Sequence, residues 1–445
     1  MNFPSPRQLL RCTSPRFYGK GEPTPSEEAS PSPRMCSLPV TLPCPNSSLF
    51  DVWGARHRFT PSSSLITMSA SESKLKIFFT GATGYIGGSV LQRLLQHPKA
   101  STFQITTLVR SPQKAKTLNA EFGVEAVVGS YAELDKLAEL SEQADVVFSC
   151  VRVFPLRCDG RIQAGLTARH SQWDQADADD LDAVQAFIRG LKARHEKTGK
   201  RPILIHTSGT GVLTDHANGK YASDKIYHDS RLEEMESLPD TQLHRNVDLT
   251  IINADKSGWL YSYIVTPSTI YGIARGPLFD SGLANRHSAQ IPGLIKASLA
   301  RGRAGVVGEG KPIWNDVHIE DLAEFYAILF DRVLADPEGV PHGRTGIYLL
   351  ENGEHSWYDI SKAIGQAMVE LGLSSAAEPT SFTDEEMAKV FGSVENGYQQ
   401  VGQNSRGRGE QARALGWKPK HTTADMLASI KPEVEAILEK QRSAK

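Results

Sequence analysis

Cysteine is scarce in this chain and badly placed for crosslinking. There are five in 445 residues, and Cys12, Cys36 and Cys44 lie in the first 45 positions. Only Cys150 and Cys158 remain in the part expected to fold, without metal-ligand spacing. A disulfide framework and a metal site are therefore unsupported, and a reducing compartment fits. Excess charge of either sign is also lacking: 49 basic residues face 51 acidic ones. That argues against a nucleic-acid or membrane surface. No apolar run approaches the ~20 residues of a membrane span, and no internal repeat is evident.

The first 73 residues lack a hydrophobic period. They hold 11 of the 25 prolines and 14 serines, a composition that does not build a core. Arg7, Arg11, Arg16 and Lys20 occur with no acid among the first 20 residues, which hints at mitochondrial import. Pro4, Pro6 and Pro15 spoil the amphipathic helix that import requires. We expect residues 1–73 to be a disordered tail on a cytoplasmic protein, with mitochondrial import as the minority reading.

What the chain does have is concentrated from Lys74 to Leu95. The run Ile77 to Phe79 reads as a buried strand. Gly81, Gly84 and Gly87 follow at a spacing of three. Ile86, Val90, Leu91, Leu94 and Leu95 then mark one face of a helix. Strand, glycine turn and helix N-terminus together make a cradle for a pyrophosphate, because glycines let backbone N–H groups approach the anion. The cofactor-binding residues expected here are Thr80, Gly81, Thr83, Gly84, Tyr85, Ile86 and Gly87.

Further strands are expected at Phe103–Val109, 124–129, 144–149, 202–207, 260–266 and 346–350, and a sheet-packing helix at 180–195. The second strand ends in Arg110, where an acid would hold the ribose of NAD. An arginine there suits a 2′-phosphate, with Lys114 as a weaker helper, so NADP(H) is favoured over NAD(H). Residues 151–174, including His170 and Trp173, show no period and read as an insertion in a βα loop.

The TGxxGxxG form of Thr80 to Gly87 resembles the short-chain dehydrogenase/reductase superfamily. More narrowly, it resembles the extended or atypical branch containing epimerases, dehydratases and dihydroflavonol-type reductases. The likeness runs from Lys74 to Trp417 and includes Pro267-Ser-Thr-Ile-Tyr271-Gly272. It also includes Val307 to Leu322, which is similar to G-D-G-x-x-x-x-D-x-V-H-V-x-D-x-A. The resemblance implies an α/β fold: a doubly wound parallel sheet with a smaller C-terminal substrate domain. The implied division is 74–275 for the dinucleotide-binding domain and 276–445 mainly for the substrate domain, with 314–350 returning to the sheet. Pro267 would touch the cofactor, and His318 and Asp321 would anchor a helix start. Ser130 stands where the family places an Asp near the adenine.

The chemistry implied by the family is less complete here. A hydroxyl after the fifth strand normally polarises the substrate oxygen. Gly209 occupies that place, leaving Thr207, Ser208 and Thr210 nearby. The acid/base pair YxxxK has one match, Tyr221 to Lys225. In the helix expected to carry the pair, His244 and Asp248 stand instead. Either Tyr221 and Lys225 reach the site through a longer connection, or the protein lacks the pair and His244 serves as proton donor. Asn285 and Arg286 are candidate substrate grips. The leading expectation is an NAD(P)-dependent oxidoreductase acting on a carbonyl or alcohol of a small molecule. The alternatives are a non-catalytic NADP(H)-binding redox sensor and a nucleotide-sugar epimerase or dehydratase. A homo-oligomer is possible.

Overall fold

Apolar residues on both faces of successive short strands dictate a sheet buried on both sides. In the computed structural model, which describes residues 74–150 and 179–443, that sheet has seven strands. They are Leu75–Thr80 (β1), Phe103–Val109 (β2), Glu125–Val128 (β3), Val146–Ser149 (β4), Ile203–Thr207 (β5), Tyr261–Pro267 (β6) and Ile347–Leu350 (β7). Their order is β3-β2-β1-β4-β5-β6-β7, and every pairing is parallel. The order reverses direction between β1 and β4. A doubly wound sheet binds its ligand at that switch point, beyond the carboxyl ends of the strands. The insertion read at 151–174, with His170 and Trp173, and the tail 1–73 lie outside the described residues.

The period of two decides which layer each strand residue joins. Ile77, Phe79, Val146, Phe148, Ile203 and Ile205 share one core. It is closed by helices Tyr85–Leu95 (α1), Pro112–Glu121 (α2) and, from the far end of the chain, Ile319–Ala335. Phe78, Val147 and Leu204 face the other core. That one is closed by Leu134–Glu142 (α3), Leu181–Thr198 (α4) and Arg245–Lys256 (α5). Asp180 caps α4 by accepting from the Ala183 amide at 2.9 Å, and Gly199, at φ +67°, ends it in the left-handed conformation.

A third core gathers Tyr271, Leu294, Ile295, Trp314, Trp357, Met368, Met426 and Ile430. It lies among Gln290–Arg301 (α6), Trp357–Glu370 and Thr423–Ser443. The remaining long helices are α7 (Ile319–Ala335), α8 (Trp357–Glu370) and α9 (Thr423–Ser443). The described residues fall within one compact unit, and the first core runs past 275/276, taking in Leu278, Phe279, Leu283, Ala284 and Phe325. Of the segment 314–350, β7 joins the main sheet. Ile313–His318 pairs instead with Thr269–Tyr271 and Glu354–Ser356. Asn315 and Asp316 are buried there and need polar partners. Neighbouring segments supply them: the Asn315 amide group donates to the carbonyl of Gly353, just before Glu354–Ser356, at 3.0 Å, and Thr423 at the start of α9 donates to Asp316 at 2.8 Å. Among the described residues, no helix is long and apolar enough to cross a membrane.

Candidate active site

The glycine turn is held by contacts that leave no room for side chains. Gly81 has φ +77°, and a Cβ there would lie 1.7 Å from the Cys150 carbonyl oxygen. A Cβ on Gly87 would lie 2.2 Å from the Gly81 carbonyl oxygen. Gly84 is the N-cap of α1 and no side chain caps that end. The first-turn amides therefore remain for an anion, reinforced by the helix dipole. The cradle fits a dinucleotide pyrophosphate.

Several residues expected at the cofactor brace the loop from below. Thr80 is buried; it donates to the Phe148 carbonyl at 3.2 Å and accepts from Tyr131 at 2.7 Å. The Tyr85 hydroxyl donates to the carbonyls of Tyr271 and Gly272. This pins α1 to the chain leaving β6, and burial holds the phenol well above its ordinary range. Ile86 is buried in the core under the loop. Thr83 offers its carbonyl to the Asn285 amide at 3.1 Å, and Pro267 ends β6, buried.

At the end of β2, Arg110 is exposed beside an open cavity of about 340 Å³ lined by Arg110, Val128, Gly129, Ser130 and Glu133. Lys114 donates to the Leu283 carbonyl at 2.6 Å. Burial first, then the nearby Arg110 charge, lower its pKa. Glu133 is engaged by the Ser130 amide at 2.6 Å and by Lys136.

The carboxyl ends of β4 and β5 carry a buried polar cluster. His206 lies in β5 and Ser208 just beyond its end, two residues on, so both side chains fall on the same side of the sheet. His206 Nδ1 pairs with Ser149 Oγ at 3.2 Å. Ser208 donates to Asp248 Oδ2 at 3.1 Å, so α5 meets the strand end here. Burial pushes the Asp248 carboxyl up to about 6. Burial, then the neighbouring His244, push His206 down to about 3, so its ring stays neutral. His244 Nδ1 lies 2.7 Å from Asp179 Oδ1. On the opposite face, Thr207 bonds Tyr326 at 2.6 Å, and burial pushes the Cys150 thiol up to about 12.

The carboxyl of Asp248 has a raised folded-state pKa, so its charged form is costly. Its stability contribution falls as pH rises from about 4, where the unfolded group ionises, to about 6. Asp248→Asn is isosteric and should flatten this fall. The check is the difference in urea-unfolding free energy between variant and wild type across that window.

Other expected site residues stand apart from this cluster. Thr210 accepts from the Trp314 indole at 3.0 Å. Tyr221 is 47 % exposed, with its carbonyl bonded by Asn404. Lys225 is exposed, 4.7 Å above the Tyr227 ring. The Asn285 side chain folds onto His287, and Arg286 pairs with Asp280 at 2.6 Å. His318 caps α7 through the Glu320 amide, and Asp321 accepts from the amides of Lys420 and His421. Sequence reasoning did not single out Asp179 or His206. The period of two, which sets His206 beside Ser208, was the signal available for the second.

A family model described as NAD(P)H-binding matches residues 81–253. A curated relative, the oxidase ucsJ of Acremonium sp, is 30% identical over 385 residues, covering 82% of this chain and 97% of that protein. An uncharacterized protein of Schizosaccharomyces pombe is 26% identical over 353 residues, 78% of this chain and 96% of its own. Two solved structures share the fold. One is the dTDP-glucose 4,6-dehydratase DesIV of Streptomyces venezuelae, with a TM-score of 0.53 at 17% identity over 81% of this chain and 97% of its own. The other is the UDP-glucuronic acid 4-epimerase of Bacillus cereus, with a TM-score of 0.53 at 15% identity over 82% of this chain and 100% of its own.

Proposed function

Because the chain belongs to the short-chain dehydrogenase/reductase superfamily, in its NAD(P)-binding epimerase/dehydratase-like branch, we propose that it is an NADP(H)-dependent oxidoreductase acting on a carbonyl or alcohol of a small molecule. The observation that carries the cofactor preference is the exposed Arg110 directly after β2, with Lys114 in the first turn of α2. Two neighbouring cations repel each other, and a phosphate between them reverses the sign of that interaction. The acid of the adjoining cavity, Glu133, is already engaged by Lys136 and an amide. The cofactor, when bound, supplies hydride exchange at its nicotinamide ring.

The chain's own residues orient the partners. The Gly81–Gly87 cradle fixes the pyrophosphate, and Ser208 and its neighbours line the strand ends where the reacting carbon would lie. The oxidase name of the Acremonium relative supports redox chemistry over sugar-nucleotide rearrangement.

Arg110→Glu is expected to weaken NADPH binding about 10–100-fold, the size of one lost charge-assisted pair, and to leave NADH within about two-fold. Fluorescence titration with both cofactors checks this, and an unchanged NADPH/NADH ratio would remove the preference. Aldehydes, ketones and nucleotide sugars followed by nicotinamide absorbance test turnover. Tight NADPH binding with no turnover of any of them would favour the redox-sensor reading.

A further inference from the structure

Fourteen buried side-chain atoms among the described residues have no hydrogen-bond partner, and three of them belong to one cluster: His206 Nε2, His244 Nε2 and Asp248 Oδ1. Each such atom costs about 1–3 kcal/mol when left unpaired. Three together in one polar cluster point to a polar group that completes it. The cluster lies beyond the carboxyl ends of β4 and β5, on the side of the sheet covered by α4 and α5.

His244 is also strained. Its φ is +70°, and the only other described non-glycine residue with positive φ is Asn218, a type that tolerates it. His244 sits at the N-cap of α5 yet makes no side-chain cap bond. The strain, on the order of 1–2 kcal/mol, is therefore not explained by helix capping. What the conformation achieves is a buried imidazole bonded to Asp179 at 2.7 Å. A carboxylate only accepts, so Nδ1 carries the proton of that bond. In the neutral ring this leaves the lone pair on Nε2, the atom without a partner.

We infer that Asp179 and His244 form the acid/base dyad of the site, and that the substrate's reacting oxygen completes the cluster at His244 Nε2. This rests on the oxidoreductase reading above. In the oxidative direction the alcohol O–H bond breaks and its proton passes to His244 Nε2. The resulting imidazolium is held by Asp179. The C–H electron pair leaves as hydride to the oxidised nicotinamide, and the carbon–oxygen double bond forms. In the reductive direction the hydride arrives at the carbonyl carbon and His244 returns the proton. Ser208 and Asp248 are positioning residues: their 3.1 Å bond ties the strand end to the helix that carries His244. The charged and titratable groups near the imidazole are Asp179 from the segment before α4, His206 from β5 and Asp248 from α5, and Gly211, just after β5, lies against Nε2.

The test uses the full-length protein with ¹⁵N-histidine, His244→Gln identifying the His244 signals. The expected long-range ¹H–¹⁵N pattern is the Nδ1–H tautomer, converted to a tautomer mixture by Asp179→Asn. Small alcohols and ketones, each added with NADP⁺ or NADPH, should include at least one that moves the His244 Nε2 signal. For a compound that is turned over, His244→Gln should lower kcat about 10²–10⁴-fold, with NADPH affinity kept within about two-fold. An Nε2–H tautomer, an Nε2 signal unmoved by every compound, or wild-type turnover in His244→Gln would each overturn the dyad. So would loss of turnover in Tyr221→Phe with retention in His244→Gln. Failure of the wild-type protein to bind NADPH would overturn the oxidoreductase reading instead.

Discussion

Gly81→Ala is expected to abolish NADPH binding and to destabilise the fold by about 3 kcal/mol or more, combining left-handed strain with a backbone clash. The new Cβ would sit 1.7 Å from the Cys150 carbonyl oxygen, directly after β4. Relief would require β1 and β4 to separate where Thr80 opposes Ser149, and that pairing lies in the middle of the sheet. Gly87→Ala separates the causes. Gly87 is not among the glycines with positive φ and lies inside α1, where alanine normally gains about 1 kcal/mol over glycine. Its Cβ would nevertheless meet the Gly81 carbonyl oxygen at 2.2 Å. Steric overlap should outweigh propensity and reshape the cradle, so NADPH affinity should fall at least about 100-fold. Cofactor titration and urea unfolding of both variants decide this. Unchanged affinity in Gly87→Ala would mean that the cradle is not where the pyrophosphate binds.

Trp314→Ala should destabilise the protein by about 3–5 kcal/mol, the usual cost of emptying a large aromatic site. Trp314 is 1% exposed and packs edge-on to Trp357 at 5.7 Å. Its indole N–H donates to Thr210 Oγ1 at 3.0 Å, and Ser405 donates to the Thr210 carbonyl at 2.6 Å. The third core thus grips the turn that follows β5, two residues beyond Ser208. Trp314→Phe keeps most of the apolar surface and loses the hydrogen bond, so it should cost less, about 1–3 kcal/mol. Urea unfolding orders the two variants. Equal stabilities for Trp314→Ala and wild type would show that the third core does not support the turn.

Residues near the candidate site show how legibility depends on distance along the chain. Phe103–Val109 was readable as a strand residue for residue, because alternation and β-branched content are local properties. The expected helix at 180–195 runs slightly longer, from Leu181 to Thr198, because Gly199 supplies the left-handed stop. The placement of His244 at a helix start was also readable, from the apolar spacing that follows it. Its strained φ was not, since nothing local to His244-Arg-Asn-Val-Asp248 demands it. Lys114 was readable as a cation near the second strand's end, but its bond to Leu283 spans 169 residues. Arg286 was readable as a cation on a substrate-side loop, yet Asp280 six residues earlier takes its guanidinium.

By itself, the sequence determined the seven strands of the main sheet and the glycine cradle that joins β1 to α1. These follow from side-chain periods of 2 and about 3.6 and from the steric limits of glycine, all of which act within a few residues. Only the tertiary structure decided which polar groups meet. Asp179 reaches His244 across 65 residues, Ser208 reaches Asp248 across 40, and Trp314 reaches Thr210 across 104. Those meetings depend on how helices cross the sheet and on which buried groups find partners once water is excluded, and no local pattern encodes either.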